Sequence, residues 1–227
     1  MVGPLSALSG PVAVVGCGGL GVPAAWTLAA LGVPELVLVD DDVVELSNLH
    51  RQVLYGQADI GQPKTAVLAR QLHGRYPRLV VTQRAGRIGT VTVNSLLDAC
   101  TAVLEGSDDA AAKFAVNDWI VGDCQRCGVV AAAIGRRGQW MAVAAATACY
   151  RCIFEAPPPP ESVATCSVAG VIGSTVGVVG SLAARSLGAV LVGAPDPALG
   201  ALLRWTARGV LRTPVARAPD CICGGVA

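Results

Sequence analysis

The stretch PVAVVGCGGLG, from Pro11 to Gly21, decides the fold of this chain. Pro11–Gly16 is a short apolar run that predicts a buried strand, and Leu20–Leu31 has the apolar spacing of a helix. The turn between them satisfies the pattern G-x-G-x-x-G, which lets a nucleotide approach the backbone at a helix N-terminus. A tight turn without a ligand is the alternative interpretation. The glycines that we assign to the nucleotide site are Gly16, Gly18, Gly19 and Gly21.

Strand and helix patterns continue to alternate beyond this turn. Further strands are predicted at Glu35–Asp40, Leu79–Thr82, Ala102–Glu105, Val129–Ile134 and Gln139–Ala145. Further helices are predicted at Pro63–Tyr76, Val91–Ala99 and Asp108–Val121, and we expect Asp108 to cap the last of them. This alternation predicts an α/β fold, namely a Rossmann-like, mostly parallel sheet with helices on both faces. A Cys-rich segment and C-terminal strands complete the predicted fold.

The composition limits the classes of protein to consider. Of 227 residues, 53% are hydrophobic and 15% are charged, which suits one α/β domain with a large core. The net charge of +1 provides no basic field for nucleic acid. Gly170–Gly193 is apolar for long enough to span a bilayer, but we interpret it as a core helix and expect no membrane contact. Nine cysteines without an export signal at Met1–Gly10 favour reduced thiols in the cytoplasm.

Charged residues beyond the glycine turn separate two kinds of nucleotide. Asp40 ends the next predicted strand, where its carboxylate can accept from both ribose hydroxyls of NAD or ATP. Arg51 and Lys64 supply cations for a triphosphate, and Asp108 follows a predicted strand, where its carboxylate can hold Mg²⁺. These residues favour ATP with magnesium over a dinucleotide. In the alternative interpretation, Arg51 and Lys64 are solvated surface charges that pair with Asp41 or Glu45.

The residues around these charges resemble the signature of the ThiF/MoeB/HesA family, relatives of the ubiquitin-activating enzymes. Asp40–Gln52 matches D-x-D-x-V-x-x-S-N-L-x-R-Q, and Ile60–Lys64 matches I-G-x-P-K. The likeness runs from Val12 to the C-terminus. Further matching segments are Gly106–Asp108, Asn117–Asp118, Cys149–Phe154, Cys166–Val171 and Gly177–Leu182.

The resemblance implies a single ATP-binding adenylyltransferase domain over residues 1–227. Its nucleotide-binding core is residues 1–147, and residues 148–227 hold the Cys-rich segment, a Pro-rich crossover loop, the Gly-rich helix and the last strands. Such enzymes transfer AMP to the C-terminal glycine carboxylate of a β-grasp, ubiquitin-like sulfur-carrier protein ending in Gly-Gly, and release pyrophosphate. By this likeness the catalytic residues are Arg51, Lys64, Asp108 and Cys166, with Mg²⁺ at Asp108. The nucleotide is held by Asp40, Asp42, Asn48, Arg51, Gln52 and Lys64.

The resemblance also implies a homodimer in which an N-terminal arginine reaches the partner's ATP. The residues before Pro11 contain no Arg or Lys, so this contact is missing or replaced. Asp109 stands where the family usually has Asn, and Lys113 stands where it usually has Arg, so the bidentate guanidinium is lost. Two other functions stay open: a nicotinamide-dependent oxidoreductase, and a nucleotide-binding scaffold that holds a β-grasp partner without turnover.

Two cysteine pairs predict a zinc site. Cys149-x-x-Cys152 has the spacing of a metal knuckle. Cys221-x-Cys223 can complete four thiolates if a turn brings both sulfurs to one ion. The family closes this site with a second C-x-x-C, so the second pair here is one residue shorter. Four reduced thiols without a metal are the alternative.

The other cysteines have weaker signals. Cys124-x-x-Cys127 follows a predicted helix and has no counterpart in the family pattern, so we interpret it as buried or incidental. A metal-binding pair is the alternative. Cys166 precedes the Gly-rich helix, whose N-terminus lowers the pKa of a thiol. In some relatives a cysteine at this place forms a thioester or acyl disulfide with the carrier. A cysteine that merely packs in a loop is the alternative.

Overall fold

The computed structural model describes residues 5–159 and 170–224, which form an eight-stranded sheet with helices on both faces. The strands are β1 Val12–Val15, β2 Glu35–Val39, β3 Val80–Arg84, β4 Ala102–Glu105, β5 Cys127–Ile134, β6 Arg137–Ala144, β7 Ala201–Thr206 and β8 Gly209–Pro214. The α-helices are α1 Gly21–Ala30, α2 Lys64–Arg75, α3 Val93–Leu96, α4 Ala110–Val121 and α5 Gly173–Leu191. The predicted α/β fold is therefore confirmed.

The sheet has the strand order β3-β2-β1-β4-β5-β6-β7-β8 and changes direction at β5. Strands β1 to β5 pair in parallel, whereas β5 to β8 pair antiparallel. The change occurs because Gly135 and Arg136 alone join β5 to β6, and a parallel neighbour needs a connection of about a dozen residues or more. The carboxyl ends of β1, β2 and β4 consequently share one edge, where ligands bind in such sheets.

Each face of the sheet has its own hydrophobic core. Helices α1, α2 and α5 cover one face, where Leu28, Leu68 and Leu187 are fully buried. Helices α3 and α4 cover the other face, where Val116 and Ile120 are buried. Each such side chain contributes about 1.5–3 kcal/mol on burial, so both layers stabilise the sheet.

Helix α5 packs closely on α1 and on the sheet. A Cβ on Gly180 would lie 2.4 Å from the Leu20 carbonyl oxygen, and one on Gly138 would lie 2.4 Å from Cγ2 of Val179. Among the described residues, α5 alone is long and apolar enough to cross a bilayer, and 56% of its apolar window is buried against the chain. Core helices pass the same length and composition test, so the test by itself is weak evidence for a membrane span.

The prediction that Asp108 caps α4 is wrong. The cap is Asp109, whose Oδ1 accepts hydrogen bonds from the backbone N–H groups of Ala111 at 2.8 Å and Ala112 at 3.4 Å. Asp108 lies one residue too early for its carboxylate to reach these donors. Helix α3 is also shorter than predicted, and Ala99, just beyond it, has φ +62°, outside the helical region.

Candidate nucleotide site and thiol cluster

The glycine turn between β1 and α1 excludes side chains. Gly16 has φ +82°, and a Cβ there would lie 2.8 Å from both the N and the Cα of Ser107. A Cβ on Gly21 would lie 1.7 Å from the Gly16 carbonyl oxygen. Gly18 and Gly19 are partly exposed at the start of α1, so their backbone is open to a ligand at a helix N-terminus.

Asp40 follows β2 and is fixed beside the glycine turn by two backbone hydrogen bonds. Its Oδ2 accepts from the Cys17 N–H at 2.6 Å, and its Oδ1 accepts from the Asp42 N–H at 2.8 Å. Burial raises the pKa of Asp40, while these hydrogen bonds and the Lys64 ammonium act in the opposite direction. The carboxylate is thus oriented at the edge where the sheet would receive a ribose.

Lys64 is a buried cation and not a solvated one. Its side chain is 7% exposed, and its Nζ lies 2.7 Å from Oδ2 of Asp42. Tyr55 connects the first turn of α2 to the glycine turn, because its hydroxyl donates to the Cys17 carbonyl at 2.7 Å and lies 3.3 Å from the Lys64 carbonyl. For Lys64, the alternative of a surface charge is therefore wrong. Sequence reasoning missed Tyr55, because its position in the site is visible only from these two contacts.

Arg51, Asn48 and Gln52 lie together in the connection between β2 and α2. The Arg51 Nη2 donates to Oδ1 of Asn48 at 2.5 Å, and Arg51 remains half-buried. Gln52 is 2% exposed, and among the described residues its Oε1 has no hydrogen-bond partner. A Cβ on Gly18 would lie 3.5 Å from Nε2 of Gln52, so this amide borders the glycine turn. A buried amide with an unpartnered oxygen is the observation expected where a polar ligand fits.

Asp108 completes the site from the loop after β4. It is exposed, and its carboxylate has no side-chain partner within residues 5–159 and 170–224. Ser107, the preceding residue, lies against Gly16.

Arg87 is a residue that sequence reasoning missed. Its Nε lies 3.3 Å from Oδ2 of Asp41. It follows the carboxyl end of β3, and its place after a strand end is the signal that would have identified it.

A buried ion pair between Lys113 and Glu105 lies next to the loop that carries Asp108. The Lys113 Nζ lies 2.5 Å from Oε2 of Glu105, whose side chain is fully buried at the end of β4. Burial raises the pKa of Glu105, and Lys113 and Ser107 act in the opposite direction. Sequence reasoning took Glu105 as a strand residue and missed this pairing.

Four thiols converge on the α4 side of the sheet, as the predicted zinc site requires. The sulfur of Cys149 lies 3.5 Å from that of Cys221 and 4.0 Å from that of Cys152, and the Cys152 and Cys223 sulfurs are 3.5 Å apart. Four thiolates around one Zn²⁺ at about 2.3 Å have sulfurs roughly 3.8 Å apart. The cluster therefore fits a tetrahedral ion. A 3₁₀ turn at Ile222–Gly224 supplies the bend that the C-x-C spacing needs.

Cys124 and Cys127 do not join this cluster. Cys124 is exposed, and burial raises the pKa of Cys127 to about 11. Cys124 and Cys127 belong to neither of the potential metal-ligand groups found among the described residues. Cys166 lies outside the described residues, so its predicted covalent role stays a prediction.

Comparisons with known proteins place the chain in a family. It is 37% identical to the SAMP-activating enzyme E1 of Haloferax volcanii, over 96% of this chain and 81% of that protein. It is 38% identical to the sulfur carrier protein adenylyltransferase of Thermus thermophilus, over 94% of this chain and 82% of that protein. A crystal structure of E. coli MccB with ATP has the same fold, with a TM-score of 0.83 and 22% identity over 97% of this chain and 68% of that one. The ThiF family model matches residues 6–223, and the chain belongs to the ThiF family.

Proposed function

We propose that this chain transfers AMP from ATP to the C-terminal carboxylate of a ubiquitin-like sulfur-carrier protein. The observation that carries this proposal is that the neighbours of Arg51, Lys64 and Asp108 border the glycine turn. Gln52, next to Arg51, lies beside Gly18, and Ser107, next to Asp108, lies against Gly16. Tyr55 hydrogen-bonds to the carbonyls of both Cys17 and Lys64. Relatives named as adenylyltransferases of sulfur carriers, at 37% and 38% identity over nearly the whole chain, support it. A dinucleotide would leave this set of cations without a triphosphate to neutralise.

The reaction needs little covalent work from the protein. An oxygen of the carrier carboxylate attacks the α-phosphorus of ATP, and the bond from that phosphorus to its bridging oxygen breaks, so that pyrophosphate leaves. Arg51 and Lys64 neutralise the charge that collects on the phosphate oxygens, and Asp42 holds the Lys64 ammonium in place. Rate enhancement then comes mainly from positioning and from electrostatic stabilisation.

The remaining site residues bind the nucleotide. Asp40 accepts from the ribose hydroxyls, and the backbone at Gly18 and Gly19 lies under the phosphates. Gln52 offers its unpartnered oxygen to a polar group of the nucleotide or carrier. Asn48 orients the Arg51 guanidinium through their hydrogen bond.

Two metal ions belong to the proposal. Mg²⁺ would be held by Asp108 together with phosphate oxygens, where it supplies charge neutralisation. Zn²⁺ would be held by Cys149, Cys152, Cys221 and Cys223. Four thiolates leave no open coordination position, so the role of zinc is structural and not catalytic.

We further propose that the protein acts as a cytoplasmic homodimer on a carrier that ends in Gly-Gly. The connection between β2 and α2 exposes the apolar side chains of Leu46, Val53 and Ile60, which a second copy would cover. The eight cysteines of the described residues are all free thiols, as a reducing compartment requires. Light scattering at several protein concentrations tests the dimer.

Carrier-dependent ATP–pyrophosphate exchange tests the activity. Wild-type protein with its carrier is expected to exchange label between pyrophosphate and ATP. Arg51→Ala and Asp108→Ala are each expected to lower this rate by about 100- to 1,000-fold with unchanged melting temperature, because each removes charge stabilisation from an exposed or half-buried position.

A matched control is Arg126→Met, which removes a guanidinium stacked 4.2 Å over Trp119, beyond the end of α4. Its exchange rate should equal that of wild type. Exchange by wild type without any carrier would point to another acceptor. Label exchange by Asp108→Ala at the wild-type rate would remove that residue from the mechanism.

A further inference from the structure

The chain uses lysine at only two positions. Among its 17 basic residues, 15 are Arg and two are Lys, namely Lys64 and Lys113. Lys64 belongs to the nucleotide site, whereas Lys113 lies in α4 with its side chain 8% exposed. Both lysines are buried and ion-paired, so each contributes a compact cation in a place where the chain does not use its usual guanidinium.

The Lys113 ammonium is fully satisfied by three acceptors. Its Nζ donates to Oε2 of Glu105 at 2.5 Å, to the Ser107 carbonyl at 2.7 Å and to the Ala131 carbonyl at 2.8 Å. An ammonium has three donors that rotate to suit their acceptors, while a guanidinium has a planar fork. The three acceptors come from β4, from the loop after β4 and from β5, so a single cation joins three segments.

Glu105 holds the same loop from below. Its Oε1 accepts from the Ser107 N–H at 2.9 Å and from the Ser107 hydroxyl. The Ser107 hydroxyl oxygen in turn accepts from the Asp109 N–H at 3.3 Å. The peptide groups on both sides of Asp108 are therefore fixed: the carbonyl of Ser107 by Lys113, and the N–H of Asp109 by Ser107.

The glycine turn adds a third constraint on this loop. Ser107 lies so close to Gly16 that a methyl group at Gly16 would meet its backbone at 2.8 Å. The backbone before Asp108 is thus fixed relative to the glycine turn, while the Asp108 carboxylate itself stays exposed. A fixed backbone under a free carboxylate is the arrangement of a positioned ligand or catalytic group.

We propose that Lys113 and Glu105 are positioning residues that fix the main chain on both sides of Asp108 and so aim its carboxylate at the Mg²⁺ that would accompany the phosphates of ATP. This inference rests on the proposed function. A buried ion pair is weak support for stability, because apolar residues of similar volume do as well or better. Positioning gives this pair a role that apolar residues cannot fill, because they cannot hold the Ser107 backbone.

A double-mutant cycle with Asp108 tests the proposal. Glu105→Gln with Lys113→Met removes both charges together, so no buried charge is left unpaired. We expect kcat for pyrophosphate exchange to fall by about 100-fold, since a misplacement near 1 Å has that effect on rate. Added to Asp108→Ala, the same two changes should cost nothing further. A full additional loss would overturn the proposal, because the pair would then act without Asp108.

Conservative variants separate positioning from mere folding. Lys113→Arg alone should be impaired, because the larger fork does not match the three acceptors. Lys113→Arg with Glu105→Asp shortens the acid while lengthening the base, and should recover most of the lost kcat at an unchanged KM. If Lys113→Arg alone has the same kcat as Lys113→Arg with Glu105→Asp, the inference is also overturned.

A binding measurement separates this inference from the proposed function. Calorimetry of ATP with and without Mg²⁺ requires no turnover and no carrier. Asp108→Ala and the Glu105→Gln, Lys113→Met variant should lose the same Mg²⁺-dependent gain in affinity, whereas Arg126→Met should keep it. If wild-type protein shows no pyrophosphate exchange but keeps its Mg²⁺-dependent affinity for ATP, only the proposed adenylyl transfer is contradicted. If the Glu105→Gln, Lys113→Met variant keeps the full Mg²⁺-dependent gain in affinity for ATP, only the positioning role is contradicted.

Discussion

The nucleotide site and the thiol cluster differ in how far their own side chains satisfy one another. In the site, Asp108 is exposed and Gln52 keeps an oxygen without a partner in the described part of the chain. In the cluster, all four sulfurs already lie within 4.8 Å of one another. The first region thus keeps polar groups that a ligand could bind. The second fits the zinc ion that we propose for it.

Helix α4 joins the two regions. Lys113, in its first half, donates to Glu105 and to the Ser107 carbonyl, next to Asp108. Asn117, in its second half, donates to the Cys149 sulfur at 3.7 Å and accepts from the Tyr150 N–H at 2.8 Å. The thiol cluster thus contacts the same helix that carries Lys113. Substitutions should therefore separate an effect on stability from an effect on turnover.

The largest expected effect on stability is loss of the thiol cluster. Cys149→Ser should remove one equivalent of zinc per chain and lower the free energy of unfolding by about 4 kcal/mol, which corresponds to a melting temperature roughly 8–16 °C lower. Metal analysis and calorimetry measure both. Cys124→Ser is the matched control, because Cys124 is exposed and outside the cluster, and it should keep metal and melting temperature. Equal zinc content in the two variants would contradict the assigned ligands.

A substitution in the glycine turn should affect stability and turnover together. Gly16→Ala places a Cβ at φ +82° and against Ser107, so we expect a loss of about 2–3 kcal/mol and a large drop in exchange. Gly32→Ala is the control: it has φ +89°, and no atom lies within 4 Å of the added Cβ. It should cost about 1 kcal/mol and leave exchange unchanged. If both variants keep wild-type exchange, the close contact with Ser107 has no part in catalysis.

The smallest expected effect comes from the helix cap. Asp109→Ala removes the acceptor for Ala111 and Ala112 and should lower stability by about 1 kcal/mol, a shift of roughly 2–4 °C in melting temperature. Asp109→Ser retains a cap and should behave as wild type. Thermal unfolding of the two variants side by side measures the difference. An identical melting temperature would show that α4 is held by its packing and its buried contacts alone.

Local sequence determined the nucleotide-binding half of the fold. Apolar runs, glycines and the strand-end aspartate depend on neighbours within a few residues, so Asp40, Gly16 and the β1–α1 turn were predictable. The two cysteine pairs were predictable from spacing, although the turn that unites them was not. The charges and positions of Arg51 and Asp108 indicated a triphosphate with Mg²⁺, and the family likeness added the catalytic roles that we assign to them.

Tertiary structure decided which polar groups meet. Tyr55 reaches the Cys17 carbonyl across 38 residues, and Lys113 meets Ala131 across 18. The direction of β6 to β8, the cap at Asp109 and the Glu105–Lys113 pair were decided in the same way. Such contacts depend on how strands and helices stack, and a buried charge is stable only where that stacking brings its partners within hydrogen-bond distance. No local pattern carries that information, because the partners lie far apart in the chain.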